Sequence, residues 1–271
     1  MVLLVDNKSI DDSPRILKEY FHRHFPAAPV MEGEISTEFG YENQGFALYL
    51  NHENRGFAAG NNVLLQHIRH WDCFLWLLNP DVVVAPDAMG LLVTELEQGQ
   101  KLVLGNSVYS MREPDKLLHY GGFHINWNLG TVKPVIQRNR EPDYIYGASL
   151  FTRASAFLEI GLMPESYFLY WEESHWCMMA RSGGYALRLL PHVHIFDKVG
   201  GSVGRGFRAY YYYTRNGLVF FSHFRPSALW LVFGLNFFRA FKKALFLNFA
   251  AAKGVWKGNL DFLSYARQNK D

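Results

Sequence analysis

The feature that most narrows what this chain can fold into is an alternation. Over the first 105 residues, short apolar runs alternate with amphipathic helical segments. Val2–Val5 reads as a strand, and Ser13 with Pro14 opens a helix carrying Ile16, Leu17, Tyr20 and Phe21 on one face. Ala47–Leu50 is a second strand, followed by a helix opened by Asn61 or Asn62 and running through Leu64, Leu65 and Ile68. Phe74–Leu78 is a third strand, apolar enough to be buried on both faces of a parallel sheet. Pro86-Asp87 starts a helix through Leu91, Leu92 and Leu96, and Lys101–Leu104 is the next strand. Such a pattern predicts an α/β fold, Rossmann-like, with a mostly parallel sheet flanked by helices.

From about Gly105 to Pro142 the pattern becomes irregular and reads as hairpins and loops. A strand at Tyr144–Tyr146 then leads through Gly147-Ala148-Ser149 into a helix ending at Gly161. A further helix runs from about Glu172 to Arg181, and Ala186–Leu190 and Val193–Phe196 are short strands.

Four segments could carry chemistry. Asp6 and Asn7 stand at the end of the first strand, and "NRGFAAGNN" (residues 54 to 62) is a small-residue turn opening a helix, where free N–H groups attract phosphate. Asn79-Pro80-Asp81 ends the third strand, because proline cannot donate to a ladder. That turn is either a plain backbone cap or a ligand-facing edge. Glu172 and Glu173 follow an aromatic run at a helix start, where a carboxylate pair also suits the helix dipole. Three of the four lie at carboxyl ends of strands in one sheet, the arrangement expected of a nucleotide site.

Charge divides the chain. Up to Gly204 there are 16 Lys and Arg against 23 Asp and Glu, a net −7; from Arg205 onward there are 11 against 2, a net +9. The basic portion is rich in aromatics, and its longest nearly apolar run, Ala228 to Phe238, is too short to span a bilayer. Helices lying on an anionic membrane surface fit this mixture, with a basic hairpin packed on the main domain as the alternative. No nucleic-acid-binding signature accompanies the charge. The expected boundary therefore separates residues 1–204 from a helical, membrane-surface segment over 205–271. Cys73 and Cys177 sit in apolar surroundings without metal-ligand spacing, and Met1–Asp6 has no basic stretch of a signal peptide, which together suggest a reduced cytoplasmic chain.

In order and wording, "LLVDNKSIDDS", "NRGFAAGNN", "LLNPDVVV", "GASLFTRASAFLEIGLMPESYFLYWEESHWCMMARSGGY" and "YYYYTRNGLVFF" resemble the GT-A glycosyltransferases of family 2, especially the rhamnosyltransferase-like branch. The resemblance covers roughly residues 3 to 220. It implies an inverting transfer of sugar from a nucleotide-diphosphate donor to a glycan or lipid-linked acceptor, in cell-surface polysaccharide synthesis at the inner face of a bacterial membrane. By that likeness Asp81 holds a divalent cation, Mg²⁺ or Mn²⁺, and Asn79 lies near ribose or phosphate. Asp6 and Asn7 face the nucleotide, and Asn54, Gly56, Phe57, Gly60 and Asn61 shape its pocket. Glu173 is the implied catalytic base with Glu172 orienting it, and Gly147, Trp171 and His175 fall on the acceptor side.

The sequence also departs from the family. A Glu-Glu pair replaces Glu-Asp, and Asp197 in "HIFDKVGGS" stands where the family often has His, so Asp197 is a candidate metal ligand. The family's opening strand and helix have no counterpart ahead of Val2–Val5, which would uncover a sheet edge and invite a homo-oligomer. "GRGF" (204 to 207) reads as part of a loop closing on the donor, or as a linker. Trp71, Trp76 and Trp127 are candidates for sugar stacking, Trp76 with core packing as its default. Two rival functions follow. One is a catalytically impaired homologue acting as a binding or scaffold protein. The other is a dinucleotide-binding oxidoreductase, which the absence of a G-x-G-x-x-G after the first strand disfavours.

Overall fold

The computed structural model describes residues 1–33, 35, 45–99, 101–137, 140–198 and 206–268. Strand β1 (Val2–Asp6) is followed by helix α1 (Ser13–His24), with Pro14 in its first turn, and then by β2 (Val30–Glu32) and β3 (Phe46–Leu50). These strands form a parallel sheet in the order β1-β3-β2, in register from Val2 opposite Phe46 to Asp6 opposite Leu50. Phe21 of α1 packs over Leu48 and Leu50, closing a small apolar cluster with Leu4, Leu17 and Phe25. Strand β2 escaped sequence reading, being only three residues long.

Helix α2 (Phe57–Ile68) starts four residues before Asn61, because Gly56 at φ +97° turns the chain sharply into it. It buries Ala58, Ala59, Leu64, Leu65 and Ile68. After it come β4 (Phe74–Leu78), β5 (Val82–Val84), α3 (Ala88–Glu97), β6 (Leu102–Ser110), β7 (Leu117–His119), β8 (Gly122–Asn126), β9 (Thr131–Pro134) and β10 (Tyr144–Ile145). The chain continues through β11 (Ser149–Arg153), the one-turn α4 (Ala156–Glu159), α5 (Glu172–Ser182) and β12 (Ala186–Asp197). A second, six-stranded sheet runs β4-β11-β6-β12-β5, with β7 on β6; β10-β8-β9 make a small antiparallel sheet. The α/β expectation therefore holds, with parallel pairs in the first sheet and between β6 and β12, and antiparallel ones elsewhere.

Three details correct the sequence reading. Residues 149–153 are a strand, not the start of a helix: Ser149, Leu150, Phe151 and Thr152 are all buried between β4 and β6, and Thr152 Oγ1 donates to Leu102 O at 2.8 Å. A short apolar run buried on both sides carries no period that separates strand from helix. Phe74–Leu78 lies at a sheet edge, paired antiparallel with β11, and only Leu77 is fully buried. The two short strands expected at 186–196 are one long strand. Its register slips between Leu190 and His194 around Pro191, which has no N–H to give.

Helices α6 (Phe207–Phe224), α7 (Pro226–Leu245) and α8 (Phe249–Gln268) complete the chain. Although α6 follows the change in charge at residue 205, its Leu218, Val219, Phe220 and Phe221 belong to the main core with Val103, Tyr167 and Trp171. Gly254 and Gly258 let α8 come close to α6, since a Cβ at either would lie 2.5 Å from a backbone oxygen of Phe207 or Tyr211. Helix α7 joins α8 through Asn236, whose Nδ2 donates to Asn259 Oδ1 at 3.0 Å, and meets the β8–β9 turn through Arg239 and Leu129 O. No helix among the described residues is long and apolar enough to cross a membrane.

Candidate active site

The carboxyl end of β1 is built around Asn7. Its amide donates to Gly56 O at 2.8 Å and Asn54 Oδ1 at 3.2 Å, and its Oδ1 accepts from Asn51 Nδ2 at 3.1 Å. A Cβ at Gly60 would strike that amide at 2.9 Å. Asn7, Asn54, Gly56 and Gly60 therefore assemble as expected. Asp6 is buried and accepts from Ser9 N at 2.9 Å, which fixes the turn after the strand. Asn61 donates to Phe57 O at 2.9 Å within its own helix.

The same loop is fastened to the segment that leads into α5. Phe57 N donates to Phe168 O at 3.0 Å, and at Gly56 any Cβ would sit 2.2 Å from that oxygen. Asn62 is 3 % exposed and brackets Met163, donating to its O at 2.7 Å and accepting from its N at 3.1 Å, while Arg55 pairs with Glu165 at 2.9 Å. Asn62 was not singled out from sequence. Its partners lie a hundred residues away, so no local pattern marks it.

Asp81 follows Asn79, whose N donates to Ala148 O at 3.0 Å, and precedes Val82, which pairs with Asp197 across β5 and β12. The two acids thus sit at neighbouring positions of one sheet edge. Tyr146, another residue that sequence reading passed over, donates its O–H to Asp197 Oδ2 at 2.8 Å. Burial raises its phenol well above the ordinary range. The bond to Asp197 and the charges of Asp197, Asp81 and Glu173 add to the shift. His119 packs edge-on against Tyr146, and burial lowers its imidazole to about 4 despite Asp197.

Glu172 and Glu173 start α5 from a strained turn, Tyr170 (φ +65°) and Trp171 (φ +75°) both being left-handed. Each such residue costs about 1–3 kcal/mol unless its surroundings hold it. Here α6 holds both. Asn216, fully buried, donates to Leu169 O at 2.7 Å and reaches Tyr170 O at 3.4 Å, and Trp171 Nε1 donates to Tyr213 O at 3.0 Å. Gly147 lies under the Glu173 side chain, where a Cβ would be 3.3 Å from Cγ. Burial pushes the Glu173 carboxyl up to about 7, and burial followed by the charge of Glu173 holds Glu172 well above the usual carboxylate range. Both Oε2 atoms are enclosed without a hydrogen-bond partner.

Two expected acceptor residues lie elsewhere. Trp171 is packed into the core against Phe220 and Gly217, so it has no face to offer a sugar. His175 turns toward α6, with Nδ1 2.8 Å from the Tyr167 hydroxyl and its ring on Phe224; burial and then His223 lower it to about 4. The tryptophans considered for stacking are also engaged in packing. Trp76 donates to Ser149 Oγ at 2.9 Å, Trp127 stacks on Phe220, and Trp71 meets His67 edge-on. Most of "KVGGS" and the first two residues of "GRGF" lie outside the described residues.

Among the described residues no three His, Cys, Asp or Glu side chains form a ready-made cation cage. Asp81 and Asp197 at one edge nonetheless suit Mg²⁺ or Mn²⁺, which is commonly held by one or two carboxylates with substrate phosphates completing the shell.

Residues 1–160 match the family described as glycosyl transferase family 2. This chain belongs to that family. Among curated proteins it is similar to rhamnosyltransferase WbbL of Escherichia coli (strain K12), 22% identical over 158 residues. That alignment takes in 51% of this chain and 59% of the relative. Among solved structures, the family 2 chain is similar to the mannosyltransferase PcManGT from Pyrobaculum calidifontis, in complex with GDP-Man and Mn²⁺. The TM-score is 0.54 at 14% identity, covering 99% of this chain and 66% of that one. A second match is GalNAc-T7 with UDP, GalNAc and Mn²⁺, with TM-score 0.55, 14% identity, and 81% and 41% coverage. These likenesses identify the fold as that of GT-A glycosyltransferases.

Proposed function

We propose that this protein is an inverting glycosyltransferase. It moves a sugar from a nucleotide-diphosphate donor of the dTDP or UDP class to a hydroxyl of a glycan or lipid-linked acceptor. The observation that carries the reading is the sheet edge where Asp197 lies opposite Val82, next to Asp81, with Asp197 bonded to Tyr146 and Glu173 packed over the adjoining Gly147. It joins an oxygen-rich edge suited to a cation with an enclosed carboxyl suited to a base. Asp81 and Asp197 would hold the divalent cation, which when bound neutralises charge building on the departing diphosphate. Asn7 and the 54–60 loop shape the nucleoside side of the pocket.

Glu173 removes the acceptor hydroxyl proton as the oxygen attacks the anomeric carbon, and that single displacement inverts the centre. A carboxyl raised to about 7 is matched to this task, since it accepts a proton strongly yet is ionised near neutrality. Glu172 is more deeply enclosed and shapes the field around Glu173. The likeness to a rhamnosyltransferase favours rhamnose as the sugar and cell-surface polysaccharide synthesis as the setting.

Calorimetric titration with UDP and dTDP, each with and without Mn²⁺, tests the reading. Metal-dependent binding of one nucleotide, lost in Asp81→Ala, is the expected outcome. Failure of both nucleotides to bind would leave the scaffold reading in its place.

A further inference from the structure

The α7–α8 hairpin is built inside out. Toward α8 and the body of the protein, α7 buries Ala228, Val232, Asn236 and Ala240, four small or polar residues at four-residue spacing. Outward it presents Trp230, Phe238, Phe241 and Leu245, each 60–65 % exposed. A helix of a protein surrounded by water places its large apolar residues on the inner face. Here Leu229 and Phe233 pack inward, yet Trp230, Phe238, Phe241 and Leu245 face out.

The connection between the helices continues the pattern. Turns exposed to water are ordinarily polar, yet Phe246, Leu247 and Phe249 are 74 %, 77 % and 63 % exposed. Leu247 is also left-handed at φ +57°, a conformation that Asn or Gly takes at less cost. Trp256 and Leu260 extend the exposed apolar surface along α8. Among its residues stand the exposed Lys242 and Lys253. Residues 226–268 hold six Lys and Arg against one acid, Asp261.

We infer that the tip and outer face of this hairpin form a docking surface for an anionic lipid bilayer. The aromatic and aliphatic side chains enter the headgroup boundary, and the lysines engage acidic headgroups. A second copy of the chain fits less well, because self-pairing would set the Lys242 and Lys253 cluster against its own like charges. Since neither helix can cross a bilayer, the hairpin lies in the plane of the surface. The inference goes beyond the transferase reading and does not depend on it, since binding to lipid is measured without any donor sugar.

The test is co-sedimentation of the full chain with vesicles of phosphatidylcholine, with or without phosphatidylglycerol. The wild-type protein is expected to bind the vesicles that contain phosphatidylglycerol and to be released by raised salt. Replacing Phe246, Leu247 and Phe249 together by Ser should weaken binding by at least about tenfold. Lys242→Glu with Lys253→Glu should weaken it by about fivefold or more per site. All these positions are exposed, so circular dichroism and melting should match the wild type in both variants. Wild-type protein left in the supernatant, equal binding to pure phosphatidylcholine, or undiminished binding by the Ser variant would each overturn the inference. A dimer in light scattering that the Ser variant dissolves, without vesicle binding, would assign the surface to a second copy instead.

Discussion

Tyr146 and Glu173 set the chemistry at the scale of single residues. Tyr146→Phe keeps the ring and removes one hydrogen bond to Asp197. A bond to a charged group contributes about 1.5–3 kcal/mol, so Mn²⁺-dependent nucleotide affinity should drop by roughly ten- to a hundredfold by calorimetry, with little change in melting temperature. Glu173→Gln should lower the transfer rate by about 10²–10⁴ and leave donor affinity nearly intact. The wild-type kcat/KM should climb as pH rises through about 7, as the carboxyl loses its proton, and that limb should vanish in the variant. Stability should move the other way. A carboxyl whose folded pKa lies above its unfolded value favours folding most at low pH, and that contribution drains away between about 4.5 and about 7. Thermal melts of Glu173→Gln should therefore fall less steeply over that window than those of the wild type.

At the scale of elements, α6 acts as a brace on a turn that would not hold its shape alone. Asn216→Ala leaves the Leu169 carbonyl without its donor beside two left-handed residues, and should cost about 1–3 kcal/mol in urea unfolding. The transfer rate should fall further than stability alone predicts, because the turn aims Glu173. Gly56→Ala meets both a positive φ and the Phe168 oxygen, and should destabilise by more than about 1 kcal/mol. Elements with a clear period were legible in the sequence: β1, α1, β3, α2 within four residues, α3 and α5. Strand β11 was not, since apolar residues buried on both sides read alike in strand and helix. Asp6 and Asp81 were visible from their places after strands, the Glu172-Glu173 pair from its place at a helix start, and Asp197 only through the family likeness. Tyr146 and Asn62 were not, because a tyrosine behind a buried strand and an asparagine inside a helix acquire meaning only from distant partners.

At the scale of the whole molecule, the division of charge along the chain does not coincide with the division of its packing. Helix α6 carries basic residues yet lies in the main core, and of the three C-terminal helices α7 and α8 are those that turn large apolar side chains outward. The C-terminal helices thus serve two ends: α6 completes the main core, and the hairpin after it packs on that core through Ala228, Val232 and Phe262 while exposing apolar side chains on its other face. Composition revealed the mixture of lysines and aromatics without showing which faced inward. That choice follows from Gly254, Gly258 and Ala251, whose smallness lets α8 settle on α6 and leaves the bulky residues outside.

The fastening of the 54–62 loop to residues 163–168 has a consequence for binding. Asn62, Arg55 and the backbone of Phe57 join the proposed donor side to the segment that leads into Glu173, the proposed base. Two substrates that meet such a shared piece of chain do not bind independently, and whatever factor one adds to the other's affinity is returned in equal measure. Bound donor should accordingly raise acceptor affinity by the same factor as bound acceptor raises donor affinity, and Asn62→Ala should bring both factors toward one.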